Sequence, residues 1–192
     1  MIRIAILGDI GSGKSFIARK FGYPVFNADY EVAKIYRKNW KCYCKLKKIF
    51  PTYITSFPVK KKEIIKVILA NRNNLNKINE IVHPQVRAGL YRFVKKNYTK
   101  KIIILDIPLF MENKMNKKND ILIFIDSQKK EVRKRLKKKF NKNKEILKKF
   151  KKLQLALEIK KKKADYIIKN NFKDKSAKKN VKKVLGEILI NA

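Results

Sequence analysis

Eight residues near the N-terminus match a phosphate-binding motif. Residues 8–15 read Gly-Asp-Ile-Gly-Ser-Gly-Lys-Ser and satisfy the pattern G-x-x-x-x-G-K-[ST] in full. The glycines of this motif let backbone N–H groups surround a phosphate, and the lysine places a charge on the β- and γ-phosphates. The last hydroxyl is offered to Mg²⁺. The motif therefore predicts a nucleoside triphosphate site, without naming the phosphate acceptor, from these residues: Gly8, Gly11, Ser12, Gly13, Lys14 and Ser15.

Two aspartates directly follow apolar runs that have the character of buried strands. Asp106 follows residues 102–105, and Asp126 follows residues 121–125. Because carboxylates at strand ends lie where open α/β sheets bind ligands, Asp106 is a candidate metal ligand beside Ser15. A capping or loop role is the alternative for both, and it is the more ordinary role for Asp126.

A third aspartate follows the short strand predicted at Val25 and Phe26. From that position the Asp29 carboxylate could orient an attacking hydroxyl and accept its proton. Helix capping is the alternative. The position alone leaves both roles open.

The elements that must position these residues alternate along the chain. Short Ile-rich runs predict strands at 2–7, 25–26, 102–105, 121–125 and 166–168. Apolar residues at helical spacing predict helices at 14–21, 30–50, 85–96, 129–163 and 175–190, and one or two helices at 60–81. We expect a helix break at His83-Pro84, since the residue before proline is pushed out of the helical region. This alternation predicts an α/β fold with a parallel sheet.

The chain of 192 residues is strongly basic, with 51 Lys and Arg against 15 Asp and Glu and a formal charge of +36. Only eight of these cations are arginine, the residue that bidentate phosphate and base recognition favours. Lys, Asn and Ile share A- and T-rich codons and together make up 86 residues. We therefore attribute the charge mainly to a genome rich in A and T. Aromatic residues among the lysines, at Trp40, Tyr43 and Phe50, keep a nucleic-acid-binding ATPase as an alternative.

Other compositional features exclude several classes of protein. The single histidine, His83, excludes any mechanism that needs two. Cys42 and Cys44 are spaced too closely for a disulfide or a zinc site and indicate reduced thiols. We find neither a membrane-spanning run nor a signal-peptide pattern, so the expectation is a cytoplasmic protein without a membrane partner or a specific nucleic-acid partner.

Several further landmarks occur in the order and at the spacing of dephospho-CoA kinase. Beyond the phosphate loop they are Ala28-Asp29, His83-Pro84, Ile107-Pro108-Leu109 with Glu112, Gln154, and Ala164-Asp165-Tyr166-Ile167-Ile168 with Asn170. The loop is generic, but the other landmarks together are specific. The chain thus resembles the dephospho-CoA kinase family over nearly its whole length.

The resemblance implies a fold, a reaction and a division of the chain. The fold would be a P-loop kinase core formed by residues 1–30, 100–130 and 161–192, with a helical CoA-binding insertion at 31–99 and a lid at 131–160. The reaction would transfer the ATP γ-phosphate to the ribose 3′-hydroxyl of dephospho-CoA, with Mg²⁺ as cofactor. Another nucleoside or nucleotide kinase on the same core is the alternative.

The resemblance also implies roles for individual residues. Asp29 matches the catalytic aspartate, and Arg135 matches a lid arginine that meets the transferring phosphate. Lys139 takes a second lid position, where arginine is usual, and Phe16 and Asn170 belong to the ATP site. Implied acceptor-binding residues are His83, Arg87, Pro108, Leu109 and Glu112. For His83 an ordinary helix-boundary role stays open, and for Asn170 a turn.

Besides Lys139, four further positions depart from the family pattern. Asp9 and Phe172 stand where glycine is usual, Phe16 replaces a threonine, and Asn27 replaces the first aspartate of an Asp-Ala-Asp run. A carboxylate facing phosphates would be repelled, so Asp9 must point away from them or weaken ATP binding. Because Lys14, Ser15 and Asp29 are retained, the sequence indicates a diverged enzyme with its core machinery in place.

Overall fold

The computed structural model describes residues 1–71, 73–140 and 144–191, with only the backbone of Lys139. The strands are β1 (Ile2–Gly8), β2 (Val25–Asn27), β3 (Ile102–Asp106), β4 (Asp120–Ser127) and β5 (Tyr166–Asn170). The α-helices are α1 (Lys14–Ala18), α2 (Ala28–Lys38), α3 (Trp40–Ile49), α4 (Lys61–Ala70), α5 (Asn74–Lys96), α6 (Lys129–Lys139), α7 (Lys144–Lys152), α8 (Leu157–Lys162) and α9 (Asp174–Ile190). A 3₁₀ turn, Arg19–Phe21, continues α1.

The five strands form one parallel sheet in the order β2-β3-β1-β4-β5. The predicted α/β fold is therefore confirmed. Since all strands run the same way, their last residues lie along one edge. These strand-terminal residues are Gly8, Asn27, Asp106, Ser127 and Asn170.

The central strands are buried on both faces. All five residues of β3 are buried, and so are the last five of β1. Helix α9 covers one side with Ala177, Val181 and Ile188, each about 1% exposed. This burial explains the continuous Ile-rich runs, because strands covered on both faces have no solvent side for polar residues.

The chain forms two compact units, one of Met1–Asn27 with Asn97–Ala192 and one of Ala28–Lys96. The first contains the whole sheet and the second is helical. In the second unit, Trp40 packs against Tyr43 and Phe57 with ring centroids 4.9 and 5.2 Å apart, and Phe50 is buried.

The expected helix break at His83-Pro84 is wrong. Helix α5 runs from Asn74 to Lys96 with Pro84 inside it. A proline inside a helix removes one hydrogen bond and costs about 3 kcal/mol. Burial of Ile78, Val82 and Val86 on one face, before and after the proline, offsets this cost.

Two other predicted helices are divided. The predicted helix 30–50 is split at Asn39, whose side chain caps α3 by accepting a hydrogen bond from the Cys42 N–H at 2.9 Å. The predicted helical stretch 129–163 consists of α6, α7 and α8. Within the described ranges, none of the helices combines the length and the apolar character that a bilayer span requires.

A buried carboxylate organises the segment that leads into α4. Glu63 is 6% exposed and accepts hydrogen bonds from the backbone N–H groups of Thr55, Ser56 and Lys60. It also accepts from the side-chain hydroxyls of Thr55 and Ser56. Burial alone would raise the pKa of Glu63, but the hydrogen bonds from Lys60, Thr55 and Ser56 outweigh it and hold this pKa at about 2.

We expect Glu63→Gln to lower the free energy of unfolding by about 2 kcal/mol at pH 7, because charge-assisted hydrogen bonds are lost. Since the folded pKa lies below the unfolded one, this contribution is complete above about pH 4.5 and fades as the pH falls toward 2. Urea unfolding at pH 7 and pH 3 measures it, with Glu80→Gln on the exposed face of α5 as control. An equal difference between Glu63→Gln and wild type at both pH values would contradict this account.

Candidate active site

The phosphate loop is tied to the sheet through one backbone carbonyl. The carbonyl oxygen of Ser12 accepts hydrogen bonds from Ser127 Oγ at 2.7 Å and from Asn170 Nδ2 at 2.9 Å. Ser127 and Asn170 are the last residues of β4 and β5, and the sheet register pairs them directly. The shape of the loop is therefore set by two strand ends that are remote from it in sequence.

Two loop glycines have positive φ angles, and a side chain at either position would clash with neighbouring residues. Gly13 has a φ of 86°, and a Cβ on it would lie 2.6 Å from Asn170 Nδ2 and 2.8 Å from Phe172 Cε1. Gly11 has a φ of 84°, and its Cβ would lie 3.0 Å from Leu136 Cδ2. Any side chain at Gly13 would displace Asn170, so the loop tolerates only glycine there.

The loop presents both a cation and a buried hydroxyl. Lys14 Nζ donates to the carbonyl oxygens of Gly8 at 3.1 Å and Asp9 at 2.7 Å. Ser12 Oγ is buried and has no hydrogen-bond partner in the described part of the chain. A buried hydroxyl without a partner is costly, and a phosphate oxygen would satisfy it. The loop therefore fits an anion.

The Asp9 carboxylate is bound to the loop's own backbone. Asp9 Oδ1 accepts from the adjacent Ile10 N–H at 2.6 Å. Part of its charge is therefore satisfied locally. The hydrogen bond from Lys14 Nζ to Asp9 is to the Asp9 backbone carbonyl oxygen.

The first turn of α1 supplies backbone donors and one hydroxyl. Ser15 and Phe16 are half-buried, and N–H groups of a first helical turn have no acceptor within the helix. The Phe16 side chain packs against the core, with Lys20 Nζ 5.1 Å from its ring centroid. Phe16 can therefore contribute a backbone N–H to an ATP site while its side chain packs against the core.

Asp106 and Ser15 are the two oxygen donors that the sequence predicts as magnesium ligands. Asp106 ends β3, is 3% exposed and accepts a hydrogen bond from Asn27 Nδ2 at the end of β2. Among the described residues, no three or more His, Cys, Asp or Glu side chains cluster as metal ligands. Magnesium in nucleotide sites is held by one or two protein oxygens together with phosphates and waters, so Asp106 and Ser15 fit it.

Asp126, the weaker candidate, is exposed and paired. Its Oδ2 lies 3.2 Å from Lys161 Nζ, and both side chains are more than 40% exposed. This surface ion pair gives Asp126 an ordinary structural contact.

On the α6 side of the loop, Arg135 stacks on an aromatic ring. The Arg135 Cζ atom lies 3.8 Å from the ring centroid of Phe172. Asn170 Oδ1 accepts from the Phe172 N–H at 2.9 Å, so Asn170 joins this ring to the loop. The side chain of Lys139 lies outside the described part of the chain.

Three predicted site residues belong to the helical unit. Asp29 is exposed and is the second residue of α2, so it does not occupy the capping position before the helix. His83 and Arg87 lie one turn apart on α5. Burial, and to a lesser extent the charge of Arg87, lowers the pKa of His83, so the imidazole is neutral at pH 7.

The predicted acceptor-binding residues after β3 lie in a turn that holds α8. Pro108 is exposed, and Leu109 has the left-handed φ of 56°. Glu112 Oε1 accepts from the Leu155 N–H at 3.0 Å and pairs with Lys160 Nζ at 2.5 Å, where the two side chains are 9% and 3% exposed. Glu112 Oε1 is therefore already bound within the protein. An acceptor-binding role for Glu112 stays a prediction.

Three side chains at the site were not predicted. Ser127 has a weak signal, since it is a polar residue directly after a strand. Lys160 has none, because nothing in the sequence marks it among 43 lysines. Phe172 stood out only as a departure from glycine.

We expect Lys160→Met to lower the free energy of unfolding by about 3 kcal/mol, because it leaves the buried Glu112 carboxylate without its cation. Adding Glu112→Gln should restore most of this loss, since the buried charge is then gone. Urea unfolding measures both, with Lys162→Met on the exposed side of α8 as the matched control. If Lys160→Met and Lys162→Met destabilise equally, the buried pair does not hold the turn.

Comparisons with known proteins agree on one family. A family model described as dephospho-CoA kinase matches residues 2–176. A dephospho-CoA kinase from Wolbachia pipientis is 29% identical over 98% of each chain, and one from Fusobacterium nucleatum is 30% identical over 88% of this chain and 89% of the relative. The solved structure of dephospho-CoA kinase from Campylobacter jejuni superposes with a TM-score of 0.65 at 26% identity, covering 97% of this chain and 96% of that one. The resemblance predicted from the sequence is thus confirmed, and the chain belongs to the dephospho-CoA kinase family.

Proposed function

We propose that the protein transfers the γ-phosphoryl group of ATP to the 3′-hydroxyl of the ribose of dephospho-CoA, giving coenzyme A and ADP. The observation that carries this proposal is a complete phosphate loop, anchored by Ser127 and Asn170, in a chain whose family match spans residues 2–176. The family acts with ATP and a divalent metal in general.

The loop binds the phosphates of ATP in this proposal. Lys14 exchanges the carbonyl oxygens of Gly8 and Asp9 for phosphate oxygens, and Ser12 Oγ gains an acceptor. Backbone N–H groups of the loop complete the cradle. Because phosphoryl transfer has a loose transition state, catalysis consists mainly of holding these charges and aligning the two oxygens.

Magnesium is the proposed metal, held by the Ser15 hydroxyl and the Asp106 carboxylate. When bound, it neutralises charge on the β- and γ-phosphates. Burial of Asp106 and its hydrogen bond from Asn27 support this assignment, because they hold one carboxylate at the sheet edge.

Asp29 is the proposed base. It orients the ribose 3′-hydroxyl and accepts its proton as the phosphorus–oxygen bond forms. Its exposed position, two residues after the end of β2 and matching the catalytic aspartate of the family, supports this role.

The remaining roles follow the family. Arg135 and Lys139 would neutralise charge on the transferring phosphoryl group, and residues 131–160 would act as the lid. Residues 31–99 would hold dephospho-CoA, with His83, Arg87, Pro108 and Leu109 as candidate contacts. At neutral pH His83 would donate or accept a hydrogen bond, and Arg87 would supply the charge for the diphosphate.

We expect Asp29→Asn to reduce kcat about a thousandfold with little change in ATP affinity, because the base is lost while the phosphate loop is intact. A coupled assay of ADP release with Mg·ATP, with and without dephospho-CoA, measures it. Asp174→Asn is the charge-matched control, since Asp174 is exposed and pairs with Lys20 and Lys178.

Wild-type ADP release that does not require dephospho-CoA, or that prefers a nucleoside monophosphate, would contradict the proposed acceptor. Asp29→Asn with wild-type kcat would contradict the proposed base alone.

We expect Asp106→Asn to raise the Mg²⁺ concentration for half-maximal ADP release at least tenfold, because the metal loses a charged ligand. Asp126→Asn should leave it within twofold, since Asp126 forms only an exposed ion pair. Titration of Mg²⁺ at fixed ATP measures both, with thermal melting to verify folding. The reverse ranking would assign the metal to Asp126.

A further inference from the structure

The Phe172 side chain contacts both the phosphate loop and the Arg135 guanidinium. One edge of its ring is against Gly13, where its Cε1 is 2.8 Å from the place a Cβ would take. The Arg135 Cζ atom is 3.8 Å from the ring centroid. The same ring therefore contacts both the guanidinium and the glycine that precedes Lys14.

The backbone of Phe172 is fixed for this task. Its φ is 63°, in the left-handed region that bulky residues rarely adopt. Asn170 Oδ1 accepts the Phe172 N–H, while Asn170 Nδ2 donates to the Ser12 carbonyl. One buried amide therefore binds both the Phe172 backbone and the loop, and links the two.

The ring of Phe172 is the contact that the structure gives for the Arg135 guanidinium. None of the ion pairs among the described residues includes Arg135. Its neighbours on α6 are Lys134, Lys137 and Lys138, which repel a cation, and Glu131 one turn before it, which forms none of these ion pairs. A guanidinium is weakly hydrated and stacks well on an aromatic face, whereas a lysine ammonium does so less readily.

From these contacts we propose that Phe172 is a positioning residue that places the Arg135 guanidinium at the phosphate loop before nucleotide binds. The inference rests on the proposed function for the role of Arg135, and goes beyond it by adding a residue that acts through Arg135. Without the ring, Arg135 would sample many rotamers on an exposed helix face, and ordering it would oppose nucleotide binding.

A double-mutant cycle between Phe172→Leu and Arg135→Gln tests the proposal. We expect Phe172→Leu alone to weaken Mg·ATP binding and to lower kcat/KM for ATP about fivefold. In the Arg135→Gln background the same change should cost less than 1.5-fold, because its effect passes through the guanidinium. Phe172→Tyr, which keeps the aromatic face, should restore wild-type values.

Controls separate this role from simple packing on Gly13. Arg133→Gln, on an exposed position of α6, should combine additively with Phe172→Leu. Equal losses from Phe172→Leu in both Arg135 backgrounds, or no loss in either, would overturn the proposal. So would a Phe172→Tyr protein that behaves like Phe172→Leu. Phe172→Met repeats the cycle if the leucine variant does not fold.

Calorimetric titration with Mg·ATP keeps this test independent of the acceptor. If wild type binds Mg·ATP but shows no dephospho-CoA-dependent ADP release, the proposed function fails while the cycle on the dissociation constant still decides the role of Phe172. If wild type turns over dephospho-CoA and the cycle is additive, only the role of Phe172 fails.

Discussion

The Ser12 carbonyl oxygen is the point on which the arrangement of the nucleotide site depends. It accepts from Ser127 and Asn170, which end neighbouring strands. A loop of glycines has many conformations when free, so two hydrogen bonds at one carbonyl remove much of that freedom before any ligand arrives. Parallel pairing makes this possible, because it aligns the carboxyl ends of β4 and β5 beside the loop that leaves β1. The order of the sheet is thus a condition for binding phosphate.

Carboxylates are scarce in this chain of net charge +36, so each buried carboxylate matters for its stability. Self-repulsion among cations opposes compaction, and a buried carboxylate that gathers several donors counteracts it locally. Asp120 pairs with Arg3, Glu112 with Lys160, and Glu63 gathers the N–H groups before α4. In each case a carboxylate fixes a turn or strand end. Buried carboxylates therefore stabilise individual turns and strand ends, while most of the positive charge is on exposed lysines.

The sequence was informative where local pattern determines structure. Strand positions and the loop followed from Ile-rich runs and the motif at 8–15, because burial on both faces and phosphate binding each restrict residue type strongly. The continuity of α5 through Pro84 was not predictable, since it depends on side chains that bury both halves of one face. Contacts such as Lys160 with Glu112, or Arg135 with Phe172, join residues whose types are common along the chain. Only the folded arrangement distinguishes these residues from their neighbours.

The packing of α6 limits how a lid could move. Two side chains of α6 lie close to Gly11 in the loop. A Cβ added to Gly11 would be 3.0 Å from Leu136 Cδ2 and 3.5 Å from Val132 Cγ1, one turn earlier. Arg135 stacks on Phe172 from the adjacent position of this helix. Protein interiors are closely packed, so these contacts hold the first two turns of α6 against the phosphate loop. Residues 131–160, proposed as the lid, therefore begin with two turns whose movement would have to break these contacts with Gly11 and Phe172.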